Sequence, residues 1–356
     1  MLEERDIVYL SMPFTAAVAV GTMLSPSHGA ASLAGAAISL SLAYFIVRKP
    51  RSMAAYAFLM FACGLFCSLA GGLSALSDAA SAPDWQAAVR GYLKSAVDSL
   101  PFSSDGTAAL VKALALGDRS SLSPEVTAAF RASGASHILA LSGLHLGIFY
   151  LCLSYLMAPL GKSPTVRKLK SLIIIVLSAG YVIIAGASAS LVRALLFIIL
   201  REGASMMYRK ISLLRILLSA MMIQLMLCPG EIASASFQLS YLAVGGIALI
   251  YPWLSVLYPD DGSARFNPVR KIWQLACLSI SCQLFTAPVA WIRFRSFPKY
   301  FLLANLLAIP PATILTASAI AIVVLAPTGW CPSFLISVAD FFASLLTKIL
   351  EIISTM

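Results

Sequence analysis

GASHILALSGLHLGIFYL, residues 134–151, is apolar enough to enter a bilayer yet carries His137, Ser142, Gly143 and His145. Two of the chain's three histidines lie here. Hydrocarbon offers no hydrogen-bond partners, so a polar, titratable, glycine-interrupted helix at that depth reads by default as a functional site. The stretch points to a fold in which membrane-crossing helices gather polar groups between them.

Composition supports that reading along the whole chain. Of 356 residues, 60% are hydrophobic and 11% charged, with a mean hydropathy of +0.90. Soluble domains carry about 25% charged residues. The expected class is an all-α polytopic membrane protein. Apolar runs long enough for a hydrocarbon core of about 30 Å lie at 7–25, 28–47, 53–76, 134–158, 171–187, 190–208, 211–228, 233–257, 272–290, 300–326 and 333–350, which makes eleven spans. The N-terminus, with Glu3, Glu4 and Asp6 against Arg5, lacks the basic region of a cleavable leader, so the first run counts as a span. The cysteines sit in apolar runs without CxxC spacing and read as small core residues.

Linkers rich in Lys and Arg (Arg48, Lys49, Arg51; Arg167, Lys168, Lys170; Arg209, Lys210, Arg215) alternate with linkers nearly free of them. The bias of basic linkers toward the cytoplasm then puts the N-terminus inside. Arg293, Arg295 and Lys299, in WIRFRSFPKYF, fall on the opposite side. Either Pro310-Pro311 splits the run at 300–326 and shifts the count, or this basic cluster is an external phosphate contact.

Residues 77–133 form the one long polar insertion, between N-terminal spans (1–76) and a larger membrane core (134–356). Trp85, Val89, Leu93, Val97 and Leu100 recur at helical spacing, with Arg90, Lys94 and Asp98 opposite. That pattern predicts a helix lying on the membrane surface or on the protein's own outer face. A second helix should stop at Gly117. A third should start at Ser123-Pro124, a capping serine followed by a proline in the first turn, and end before Gly134.

Several polar residues interrupt the spans. Arg193 follows GASAS (186–190) and opens the run LVRALLFIIL. It reads either as an arginine snorkelling to the boundary or as a cation lining a hydrated path, and its planar fork suits phosphate. Arg201 and Glu202 are expected to neutralise each other. Gln238 and Ser240, and the set Gln283, Thr286, Pro288 and Asn305 ahead of Pro310-Pro311, suggest broken helices whose freed backbone faces a cavity. Ser142 and His145 fall about 60° apart on a helix, which leaves open an intramembrane serine hydrolase, although no second membrane helix supplies a histidine. Gly161-Lys162-Ser163 is no nucleotide loop, because Leu156 stands where a P-loop needs glycine. No cofactor is expected.

LALGDRSSLSPEVTAAFRASGASHILALSGLHLGIFY (114–150), GASASLVRA (186–194), FQLSYLAVGGIAL (237–249) and CQLFTAPVAWIRFRSFPKYFLLANLLAIPPA (282–312) together resemble the ComEC competence family, in the family's order. The resemblance makes Gly117, Asp118, Arg119 and Gly134 motif residues. It implies a bacterial inner-membrane channel that passes one DNA strand to the cytoplasm, with a separate receptor, nuclease and motor ATPase as partners. Such a strand needs a hydrated basic path with aromatic surfaces for the bases. His137, Ser142, Gly143, His145, Arg193, Gln238, Ser240, Gln283, Asn305, Arg293, Arg295 and Lys299 are its candidate lining. The family's oligonucleotide-binding-like and metallo-β-lactamase-like domains have no counterpart here, and no HxHxDH-type cluster occurs. A small-solute or ion transporter on the same scaffold is the alternative.

Overall fold

A computed structural model describes residues 4–24, 53–74, 84–161, 163–258, 267–295 and 300–355. The run expected at 28–47, and Lys299 with it, lies outside them. The described residues form helices and no strand. Four helical stretches among them are long and apolar enough to cross a membrane: Ala235–Val256, Val269–Phe294, Phe301–Thr328 and Ser333–Ser354. Shorter apolar helices occupy several of the other expected spans. The chain is an all-α membrane protein.

It divides into two compact units, one of Met1–Ser81 with Lys210–Ala248, the other of Ala82–Arg209 with Leu249–Met356. In the first, α1 (Glu4–Leu24) packs along α2 (Met53–Ser74), and both meet α10 (Leu213–Leu227). The α1–α2 approach depends on Gly64, where a Cβ would stand 2.4 Å from the carbonyl oxygen of Phe14. Small residues at such crossings let backbones close on each other where lipid gives no hydrophobic drive. Most of α11 (Ala235–Leu249) completes this unit, its Tyr241 hydroxyl donating to Gln224 Oε1 of α10 at 3.0 Å.

The second unit begins with the polar insertion: α3 (Asp84–Asp98), α4 (Asp105–Leu116) and α5 (Pro124–Ala132). Its stop and start signals act as read. Gly117 takes φ +74° to cap α4, and Ser123 accepts from the Val126 N–H with Pro124 in the first turn of α5. The apolar stripe of α3 packs inward at Leu93, Val97 and Leu100, with departures at its start and on its polar side. Trp85 is exposed, while Arg90 and Lys94 turn inward, Arg90 to the Leu116 carbonyl and Lys94 to Asp118. Helix α4 is enclosed almost all round. Leu110, Leu114 and Phe130 share one core with Ala308, Ala312 and Leu315 of α14 (Phe301–Leu325) and with Leu346 and Leu350 of α15 (Ser333–Ser354). Helix α4 lies at the heart of this unit.

Segment 134–158 is two helices, α6 (Ser136–Leu139) and α7 (Gly143–Leu156), rather than one span. After it come α8 (Pro164–Ile184) and α9 (Ala189–Met206), which pack with α7 around Leu146, Ile174, Val182 and Leu191. A short α12 (Tyr251–Val256) leads to α13 (Pro268–Phe294). Helices α13 and α14 run unbroken through Pro288 and Pro310-Pro311, contrary to the broken helices expected there. Proline's fixed φ is itself helical, and beyond the pair Pro311, Ala312 and Leu315 are buried, which holds α14 in line.

Candidate functional site

The break before α7 is made by a side-chain cap. Ser142 adopts extended backbone (φ −119°, ψ 172°) and its Oγ accepts from the Leu144 N–H at 3.2 Å. His145 closes the reciprocal half, its Nδ1 accepting the Ser142 N–H at 3.2 Å. This is a capping box with histidine in the place usually held by Glu or Gln. A helix that starts among apolar side chains leaves its first N–H groups without water, and this pair supplies acceptors for two of them. Gly143 is the first helical residue rather than the point of bending. Its smallness serves a close crossing, since a Cβ there would lie 3.4 Å from that of Ala194 on α9.

The same contact bears on hydrolysis. Ser142 Oγ stands 3.2 Å from His145 Nδ1, within reach of a general base. The Nδ1 lone pair already faces the Ser142 backbone N–H, and His145 is 1% exposed. The serine hydroxyl therefore competes with its own peptide for the imidazole. His137, by contrast, is exposed, with Nδ1 3.2 Å from the Gly134 carbonyl at the end of α5.

Three motif segments meet at one corner. Gly117 packs on Leu141 so closely that a Cβ would stand 2.1 Å from Leu141 Cδ1, and its positive φ separately favours glycine. Gly186 turns the α8–α9 connection at φ +95°, with Arg90 Nη1 3.1 Å from where a Cβ would be. Arg90 Nη2 donates to the Leu116 carbonyl at 3.0 Å, Tyr181 to the Ala115 carbonyl at 2.9 Å, and Gln86 to the Ile183 carbonyl. The ends of α4 and α8 are thus tied through α3. Asp118 extends the corner, bonded to Lys94 Nζ at 2.7 Å and to the Ser120 hydroxyl and N–H. Partial burial would raise its carboxyl, but those bonds outweigh it and hold the pKa down at about 2. Arg119 beside it is exposed.

Arg193 lies in the second turn of α9, one residue before the Ala194 that touches Gly143. It is 2% exposed, so it does not snorkel to a boundary. Glu202, 7% exposed, does not pair with Arg201 as expected. Adjacent helical residues point about 100° apart, and Glu202 instead accepts from Tyr150 Oη at 2.7 Å and Ser171 Oγ at 2.6 Å. Arg201 lies over the Tyr150 ring, 5.5 Å from its centroid. This tie across α7, α8 and α9 was missed in the sequence. The available signal was that Glu202 is the only acid between Glu125 and Glu231.

Arg293 and Arg295 are exposed at the end of α13, where Arg295 caps the helix at φ +52°, and Trp291, Phe294 and Tyr300 beside them are exposed too. Gln283 and Asn305 are half-buried on α13 and α14. Gln238 and Ser240 belong to the other unit, and Gln238 bonds its own approach turn at the Ile232 carbonyl, 3.0 Å.

A buried arginine, a capped helix break and a fully bonded carboxylate inside an apolar helical unit define a polytopic membrane protein with a polar interior. The family model described as "Competence protein" matches residues 114–356, and the chain belongs to that family. It is 30% identical over 203 residues to ComE operon protein 3 of Bacillus subtilis (strain 168), covering 56% of this chain and 24% of that protein. To Recombination protein 2 of Haemophilus influenzae (strain ATCC 51907 / DSM 11121 / KW20 / Rd) it is 28% identical over 206 residues, covering 56% of this chain and 26% of the relative. The chain thus spans about a quarter of the length of these two relatives. No solved structure matches it.

Proposed function

We propose that this chain forms the membrane conduit through which single-stranded DNA crosses the bacterial inner membrane during natural transformation, with force and strand degradation supplied by other proteins. Arg193 carries the reading. A strand brings one negative charge per nucleotide and cannot pass through hydrocarbon, so a conduit needs fixed cations below the surface. An arginine buried in an apolar helix, next to the helix break at Ser142–Gly143, meets that requirement. Membrane-depth cations are costly to insert and are kept where a hydrated path or a partner repays them. Arg293 and Arg295, exposed beside Trp291, Phe294 and Tyr300, suit the strand's first contact, with phosphates on the guanidinium groups and bases on the rings. Membership of a competence family supports the same assignment.

The test is transfer of labelled DNA into the cytoplasm of a transformable host that depends on this gene. Arg193→Gln should lower uptake at least about tenfold, equivalent to about 1.4 kcal/mol, and Arg193→Lys less, at unchanged protein level in the membrane. Full uptake by Arg193→Gln would overturn the assignment.

A further inference from the structure

The far end of the α7–α9 bundle carries a second basic site that has no part in the proposed strand path. We propose that Arg167 and Tyr208, with Lys168 and Arg209 around them, bind the phosphodiester head group of an anionic phospholipid. The Arg167 guanidinium carbon sits 3.6 Å from the centre of the Tyr208 ring. Stacking fixes the plane of the guanidinium and leaves its edge for two phosphate oxygens, a geometry lysine does not provide. Tyr208 pays a conformational penalty to be there. It has φ +58° just past the end of α9, where glycine is the usual residue. The Arg209 N–H closes that turn on the Ala204 carbonyl at 2.9 Å.

Basic residues dominate this end. Near it the sequence holds Lys162, Arg167, Lys168, Lys170, Arg201, Arg209 and Lys210 against the single acid Glu202. Glu202 is buried, with one hydroxyl donor on each oxygen. Lys170 is occupied differently, donating to the Gly161 carbonyl at 2.8 Å and so pinning the turn ahead of α8. Lys168 and Arg209 remain exposed. The other exposed large apolar side chains on these helix ends include Leu156, Leu160, Leu169 and Met207, with the ring of Tyr155 beside them. Aliphatic groups outnumber the rings there and offer acyl chains a surface, and tyrosine is at home at a membrane interface, which favours a lipid over a nucleic acid.

The experiment uses the full chain in an uncharged detergent, titrated with phosphatidylglycerol or with phosphatidylcholine of the same acyl chains. Bound lipid is counted by native mass spectrometry. The wild type should retain phosphatidylglycerol over phosphatidylcholine. Arg167→Ala should cut phosphatidylglycerol retention about fivefold, the worth of one cation near an anionic surface, with phosphatidylcholine unchanged. Tyr208→Phe keeps the ring and should keep the lipid. Lys168→Ala, an exposed position, gives the same readout should Arg167→Ala fail to accumulate. Equal retention of the two lipids by the wild type, or undiminished phosphatidylglycerol in both cation variants, would overturn the proposal. Displacement of phosphatidylglycerol by oligothymidylate would overturn it in favour of a nucleic-acid site.

Discussion

The two halves of the second unit hold their helices together by different means. Helices α3 to α6 join α14 and α15 through a continuous apolar core built on Leu114, Phe130, Leu315 and Leu346. Helices α7 to α9 have a smaller apolar contact and add a polar tie across all three, Tyr150 and Ser171 on Glu202, with the capped start of α7 and the buried Arg193 beside it. Apolar packing stabilises and is indifferent to direction. Polar ties at membrane depth contribute little net energy but fix which atoms face each other. The contrast assigns stability to the first half and the fixing of side-chain geometry to the second.

That contrast breaks most visibly at Leu114→Ala. Truncating a fully buried leucine leaves a cavity and should cost about 2–5 kcal/mol, read as lost thermal stability of the detergent-solubilised protein. Glu202→Ala should cost less, about 1–2 kcal/mol for two hydroxyl bonds, with Glu202→Gln between it and the wild type. A larger loss at Glu202 than at Leu114 would reverse the division of labour. The smallest effect sharpens the boundary between the halves. Asp118 is held below its ordinary carboxyl value of 3.8 at about 2, so its contribution is present above about pH 4 and is lost as pH falls toward 2. Because Lys94 is a third exposed, that contribution is about 1 kcal/mol. Unfolding of wild type and Asp118→Asn compared from pH 5 to pH 2 should show a gap that closes at the acid end.

Features set by near neighbours in the sequence were legible there. The cap at Ser123-Pro124 and the stop at Gly117 are such features, and so is the interruption at Ser142, although the residue that makes the break is the serine and not the glycine. Partners far apart in sequence were not legible. Trp85 and Arg90 were assigned to faces by apolar periodicity, which cannot register that an arginine finds the Leu116 carbonyl once α4 folds beside it. Arg201 was paired with Glu202 because the two are adjacent. On a helix, adjacency separates side chains, and the carboxylate's donors came from two other helices. Among the candidate lining residues, the structure brings the Ser142–Gly143 break against α9 at Ala194, next to Arg193, and leaves Arg293 and Arg295 exposed on α13.

The Gln86 bond to the Ile183 carbonyl joins residues 97 positions apart. During synthesis at about 5–20 residues per second, α3 leaves the ribosome about 5–20 s before the strand of chain it must grip exists. For that interval the inward face of α3, with Gln86, Arg90 and Val97, has only α4 to cover it. A late-arriving partner of this kind makes the α8–α9 turn a latch on α3, set before α14 and α15 close the core.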